Sequence, residues 1–274
     1  MRFLLLYLIA FNSLCAEDSP LTIHWEKEYL TITHARLPEQ PVRIHYLEAI
    51  CRPGSTDRDW KETVIPHSTA KLESSEPNTI TLEQRLGDGV IVRHVIKAVA
   101  DGVSFEVSAH NPTKHVSEAH WAQPCMRVDR FVGLPMVSSG EHYLPKCFLF
   151  LNDALTRMPT ASWAKEARYV PGQVWSAPDV DRNDVNPRPL HPDNPSNGLI
   201  GCFSADEQWI LAMAWHPYQE LFQGVITCLH SDFRIGGLKP GETKGIFGRV
   251  YLIEGDEKAL LNAYERDFGA ERSE

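Results

Sequence analysis

Between Trp215 and Arg234 the chain reads WHPYQELFQGVITCLHSDFR, a run that interleaves imidazole, carboxylate, amide and aromatic side chains with apolar ones. Imidazole beside carboxylate is what acid–base chemistry on a sugar ring requires, because one group removes a proton while the other delivers one. If the run is extended, alternation puts His216, Tyr218 and Glu220 on one face, and His230, Asp232 and Arg234 also share a face. His216, Glu220 and His230 are therefore candidate catalytic residues, and Asp232 and Arg234 candidate hydrogen-bonding partners of a substrate. Trp215 and Tyr218 would give the CH groups of a sugar an aromatic surface to pack on. The competing reading is a set of solvated faces and strand-end hydrogen bonds.

A second cluster lies in NPTKHVSEAHWAQPCMRVDRF, Asn111 to Phe131. An extended chain there places His120 and Ala122 on one face and Trp121 and Gln123 on the other, with Pro124 breaking the register before Arg127 and Asp129. His120 is a candidate catalytic residue, and Trp121, Gln123 and Arg127 are candidate substrate contacts. A structural Arg127–Asp129 ion pair is the alternative. The acidic run Asp179–Asp184 lacks the glycine and distal glutamate of a calcium loop and reads as a solvated loop. No CxxC, HxH or HExxH spacing is present, so the reading is of no metal site and no cofactor. GxSxG is also absent, which removes the α/β-hydrolase reading.

Short apolar runs broken by turns must position these residues. Leu21–Trp25, Tyr29–His34, Arg43–Cys51, Thr79–Glu83, Val90–Ala98 and Val103–Asn111 alternate or are β-branched, and Asp101-Gly102 marks a hairpin. Tyr143–Leu151, Leu199–Ser204, Trp209–Trp215, Phe222–His230 and Lys244–Ile253 continue the pattern. Pro171–Gly198, rich in Pro, Asp and Asn, reads as an ordered loop over the mouth of a cleft, with Trp175 as a further substrate contact. Asp256 caps a helix ending near Phe268. The fold class is all-β: a large antiparallel β-sandwich with a short C-terminal helix.

The Asn111-Pro112-Thr113 turn, the following His115 and His120-Trp121, and the late Leu238-x-Pro240-Gly241-Glu242 turn are similar to the galactose-mutarotase-like supersandwich. The resemblance implies a carbohydrate ligand held in a cleft across one sheet. It further implies that a histidine, matched by His120, protonates the ring oxygen while a glutamate takes the anomeric proton. Glu220 stands before the Pro-Gly turn as that glutamate, in surroundings that differ from the family's. Epimerase- or lyase-like turnover and a non-catalytic carbohydrate-binding or cell-envelope module both fit.

The formal net charge of −9 without a basic stripe argues against nucleic acid, which requires clustered Lys and Arg. At the other end, MRFLLLYLIAFNSLCA has a basic start, an apolar stretch too short to span a bilayer and small residues before Glu17, as in a secretory signal peptide. Cys15 raises a lipoprotein alternative, against which Leu14 stands where a small residue is required. Residues 17–274 then form one exported β-sandwich domain with five cysteines, which read as buried thiols rather than disulfides. Mass spectrometry of protein from its native host should find a chain beginning at or near Glu17, whereas an intact Met1 would overturn the export reading.

Overall fold

Period-two alternation sorts the side chains of this protein onto the faces of two antiparallel sheets. The computed structural model describes residues 19–54, 58–136, 141–160, 173–185, 190–224 and 226–269, so the expected leader, residues 1–16, lies outside the described residues. Among the described residues one sheet has seven strands in the order β1 (Leu21–Glu26), β2 (Tyr29–His34), β3 (Val42–Cys51), β8 (Trp121–Arg127), β15 (Cys228–Arg234), β14 (Tyr218–Gln223) and β11 (Gln173–Ser176). The other has nine, in the order β10 (Ala154–Arg157), β9 (Cys147–Leu151), β12 (Ile200–Phe203), β13 (Trp209–His216), β16 (Thr243–Glu254), β7 (Gly102–His110), β6 (Ile91–Val99), β5 (Thr79–Leu86) and β4 (His67–Leu72). A short helix, α1 (Trp60–Thr63), follows β3, and α2 (Glu257–Phe268) closes the chain. The expected class, an antiparallel sandwich with a C-terminal helix, is the one observed.

The core lies between the sheets and is bridged by aromatic rings. Trp215 meets Phe233 at 4.6 Å and Phe105 at 5.1 Å between centroids, and Phe105 meets Tyr46 at 5.3 Å. Gly248 sits opposite Trp215 on β16, where an added Cβ would lie 2.3 Å from the indole, so only glycine admits the ring. A polar thread crosses the same core: the Tyr46 hydroxyl meets His94 Nδ1 at 2.8 Å, and His94 Nε2 meets Gln84 Oε1 at 2.8 Å. Burial lowers the His94 pKa to about 3, which keeps the imidazole neutral in this network.

Several expected boundaries differ. Phe222–His230 is not one strand: the chain reverses between Gln223 and Cys228, where Gly224 N donates to Cys228 O at 2.9 Å and Thr227 takes a φ of 37°. The β-branched run there masked a turn. A 3-10 turn at Leu144–Lys146 precedes β9, so that strand begins only at Cys147. Strands β4 and β10 lack an alternating apolar signal because they are exposed edges. Strand β11 lies inside the stretch expected to be loop, and all four of its residues are buried.

Helix α2 packs Leu260, Ala263, Tyr264 and Phe268 on the outer face of the nine-stranded sheet, against Ala212, Ala214, Tyr251 and Phe148. Asp256 caps it by accepting from Ala259 N at 3.0 Å. Charge fixes its far end: Arg266 and Arg249 both reach Asp101 and Asp267. Partial burial works against the Asp101 carboxylate, but hydrogen bonds and charge from Arg266 and Arg249 outweigh it and hold its pKa below the ordinary value. A carboxyl lowered in the fold contributes stability above its unfolded pKa and loses it as pH falls through the folded one. Asp101→Asn should therefore melt below the parent at neutral pH, by about 2–4 °C for each kcal/mol lost, and the gap should close in acid. A pH-independent gap in calorimetry would count against this clamp.

Candidate functional site

The outer face of the seven-stranded sheet carries the chemistry, and strand register sets out its rows. Ala122 opposes Phe233 and Met126 opposes Leu229, four residues apart on both strands, so β8 and β15 keep one register across Pro124. Pro124 therefore does not break the alternation, contrary to the sequence expectation; it removes one ladder donor and leaves the facing intact. Phe233, Leu229, Ala122 and Met126 belong to the inter-sheet core, so their neighbours Trp121, Gln123, Cys125 and Arg127 face outward with Cys228, His230, Asp232 and Arg234.

Two rows result. In the first, Ala49 opposes Gln123, the constant register sets Gln123 across from Asp232, Asp232 opposes Glu220, and Glu220 opposes Ser176. In the second, His45 opposes Cys125, Cys125 lies across from His230, and His230 opposes Phe222. Directly opposed side chains on one face stand about 4.5–5.5 Å apart at Cβ, so the Glu220 and Asp232 carboxylates are immediate neighbours. Both residues are fully buried, and Gln123 is only 4 % exposed. Burial, followed by the charges of Asp232 and Glu220, pushes the Cys51 thiol pKa well up, which places both carboxylates within electrostatic reach of β3. Trp121 Nε1 and Gln123 Oε1 are buried and meet no hydrogen-bonding partner among the described residues.

The acidic loop closes over this face. His120, just before β8, places Nε2 2.6 Å from Asp184 Oδ2, while Asp184 Oδ1 accepts from Gly54 N at 2.5 Å. The Asp184 carbonyl accepts from Gln219 Nε2 at 2.5 Å, so one residue joins His120 to β14. His120 O also accepts from Ile235 N at 2.7 Å and Gly236 N at 2.8 Å, just beyond β15. Asp179 pairs with Arg234, and Arg182 donates to the His191 carbonyl at 2.7 Å. The run expected to be a solvated loop is indeed exposed over most of its length, and Asp179 and Asp184 also tie it to Arg234 and His120. Asp184 escaped sequence reasoning because its partners lie far away in the chain and no local spacing marks them.

Other expectations are corrected. Trp215 and Trp175 point into the inter-sheet core and present no stacking surface. Tyr218 packs against that core from the side, and Gly198 lies against its ring. His216 does not share a face with Glu220: the chain passes from one sheet to the other at Pro217, so alternation does not carry through. His216 instead lines a depression of about 720 Å³ on the outer face of the nine-stranded sheet, with Arg93, Glu106 and Phe247. Arg127 donates to the Ile226 carbonyl at 2.9 Å. His230 stacks on Phe222 at 4.4 Å and turns Nε2 to the Cys228 sulfur at 3.3 Å, while its Nδ1 lies 3.7 Å from Asp232 Oδ1.

No protein-family model matches the chain. A search of curated proteins also found no match. Solved structures do resemble it. A putative aldose 1-epimerase from Escherichia coli K12 matches with a TM-score of 0.45 at 11 % identity, over 86 % of this chain and 99 % of that one. A galactose mutarotase-like protein from Clostridium acetobutylicum matches with a TM-score of 0.45 at 9 % identity, over 85 % and 95 % of the two chains. Another from Lactobacillus casei gives 0.41 at 10 % identity, over 85 % and 100 %.

The Asp184 contacts yield a prediction. Replacing Asp184 by Ala removes a charge-assisted hydrogen bond of roughly 1.5–3 kcal/mol. Amide exchange over residues 179–185 should then accelerate about tenfold or more, with the β-sheet amides unchanged. Unaltered exchange in that loop would show that Asp184 does not hold it.

Proposed function

We propose that this chain is an exported carbohydrate-recognising protein that acts on a sugar by acid–base chemistry, epimerase- or lyase-like, on the outer face of its seven-stranded sheet. The observation that carries this reading is the buried row Gln123, Asp232 and Glu220, beside which Trp121 Nε1 and Gln123 Oε1 meet no hydrogen-bonding partner among the described residues. Buried polar atoms are ordinarily paired, and sugar hydroxyls both donate and accept.

The simplest reaction of this class interconverts anomers. Glu220 removes the proton of the anomeric hydroxyl while a proton is delivered to the ring oxygen. The bond between that oxygen and the anomeric carbon breaks, leaving an open-chain aldehyde, which turns and recloses by the reverse transfers. His120 serves as the acid, with its Nε2 engaged by Asp184 and its other nitrogen, Nδ1, the one left for a ligand. Glu220 and Asp232 are fully buried, so a ligand reaches them only when the face opens.

A non-catalytic carbohydrate-binding module is the rival reading, and burial of Trp175 and Trp215 in the core disfavours it because such modules offer open aromatic faces. NMR of anomer exchange across a panel of aldoses, together with a β-elimination assay on acidic polysaccharides and a glycan array, tests the proposal. Glu220→Gln and His120→Ala should each lower turnover by about 10²–10⁴-fold with unchanged circular dichroism. Binding without turnover would shift the reading to the module, and neither binding nor turnover would overturn it.

A further inference from the structure

We propose that Cys125, Cys228 and His230 form a zinc site on the outer face of the seven-stranded sheet, with a fourth coordination position left to water or a ligand. The three come from neighbouring strands. Cys125 on β8 lies across from His230 on β15, and Cys228 lies two residues before His230 on the same face. One ligand atom from each residue lies within 4.8 Å of the other two. The Cys228 sulfur stands 3.3 Å from His230 Nε2. A tetrahedral zinc ion with Zn–S of about 2.3 Å and Zn–N of about 2.0–2.1 Å holds such a pair roughly 3.5 Å apart, so the ligands are already close to a coordinating arrangement.

Three features around the cluster fit the same ion. His230 has its other nitrogen, Nδ1, 3.7 Å from Asp232 Oδ1, so a carboxylate stands behind the imidazole at ion-pair distance, as behind many zinc-ligating histidines. Gly224 leaves the flank open, since a Cβ there would fall 2.2 Å from the Cys228 sulfur and 3.4 Å from His230 Nε2. Two thiolates and a neutral imidazole would neutralise Zn²⁺, which suits a site whose three residues are all buried.

Sequence reasoning could not find this site. Its spacing is Cys125, then Cys228-x-His230, with the two parts on strands that meet only in the folded sheet. Three protein ligands rather than four mark an open position instead of a closed structural site.

The test uses the full chain, reduced, stripped with a chelator and titrated with Co²⁺ under anaerobic conditions. One Co²⁺ per chain should bind with a near-ultraviolet thiolate-to-cobalt charge-transfer band and visible d–d bands of tetrahedral intensity, and Zn²⁺ should displace it. Cys228→Ser and His230→Gln should each weaken binding by tenfold or more. Cys147→Ser should retain the band, because Cys147 lies opposite Cys202 in the other sheet and serves as the thiol control. Circular dichroism of each variant separates loss of the site from loss of the fold, and the two single variants keep the test alive if one of them unfolds. Absence of the thiolate band in the parent, or a folded Cys228→Ser variant that binds Co²⁺ with unchanged affinity and band intensity, would overturn the assignment. So would isolation of the parent from zinc-supplemented cells with Cys125 and Cys228 joined in a disulfide. None of these readouts depends on sugar turnover.

Discussion

A strand can face only two ways, and β15 uses both to the full. Leu229 and Phe233 enter the core between the sheets, with Phe233 stacked on Trp215. The residues between and beside them, Cys228, His230 and Asp232, occupy the opposite face and are 5 %, 1 % and 0 % exposed. A one-residue slip of this strand would exchange the two sets and drive a carboxylate and an imidazole into the aromatic core. The packing of Trp215 on Gly248 fixes the core side of that choice, because the indole fits only where no Cβ intervenes. The position of the polar rows on the far side thus rests on an apolar contact within the sandwich.

Burying polar rows on the outer face of a sheet brings a second requirement, since their charges have to be compensated where water is scarce. The loop from Asp179 to Asp184 meets part of it by supplying carboxylates to Arg234 and His120. These two contacts draw a Pro-rich connection down over the face, and Gly54 and Gln219 add hydrogen bonds to Asp184. Polar contacts of Asp179 and Asp184 and the buried side chain of Val185 together hold this loop.

Legibility followed the physics of each segment. Tyr29–His34 was read to the residue, and Asp256 was read as the helix cap, because alternation and capping are local signals. The turn after Gln223 was hidden by Val, Ile and Thr, whose β preference says extended chain while Gly224 and Thr227 reverse it. His230, Asp232 and Arg234 were placed on one face correctly because a single strand contains all three. His216 and Glu220 were not, because Pro217 stands between two sheets and the period ends there. The tryptophans misled for a related reason: aromatic residues serve both cores and sugar sites, and only tertiary packing decides which. Asp184 and the Cys125–Cys228 pairing are contacts between distant segments, and no spacing rule reaches them.

Asp232 belongs to both rows and links their chemistry. It opposes Glu220 across β14 and stands behind His230 along its own strand. Its charge has two possible partners, the imidazole on one side and whatever donates toward the carboxylate row on the other. The candidate metal cluster and the buried carboxylate row are therefore not separate features of the sheet: two residues of one strand, His230 and Asp232, carry them, and the alternation of β15 points both to the same face.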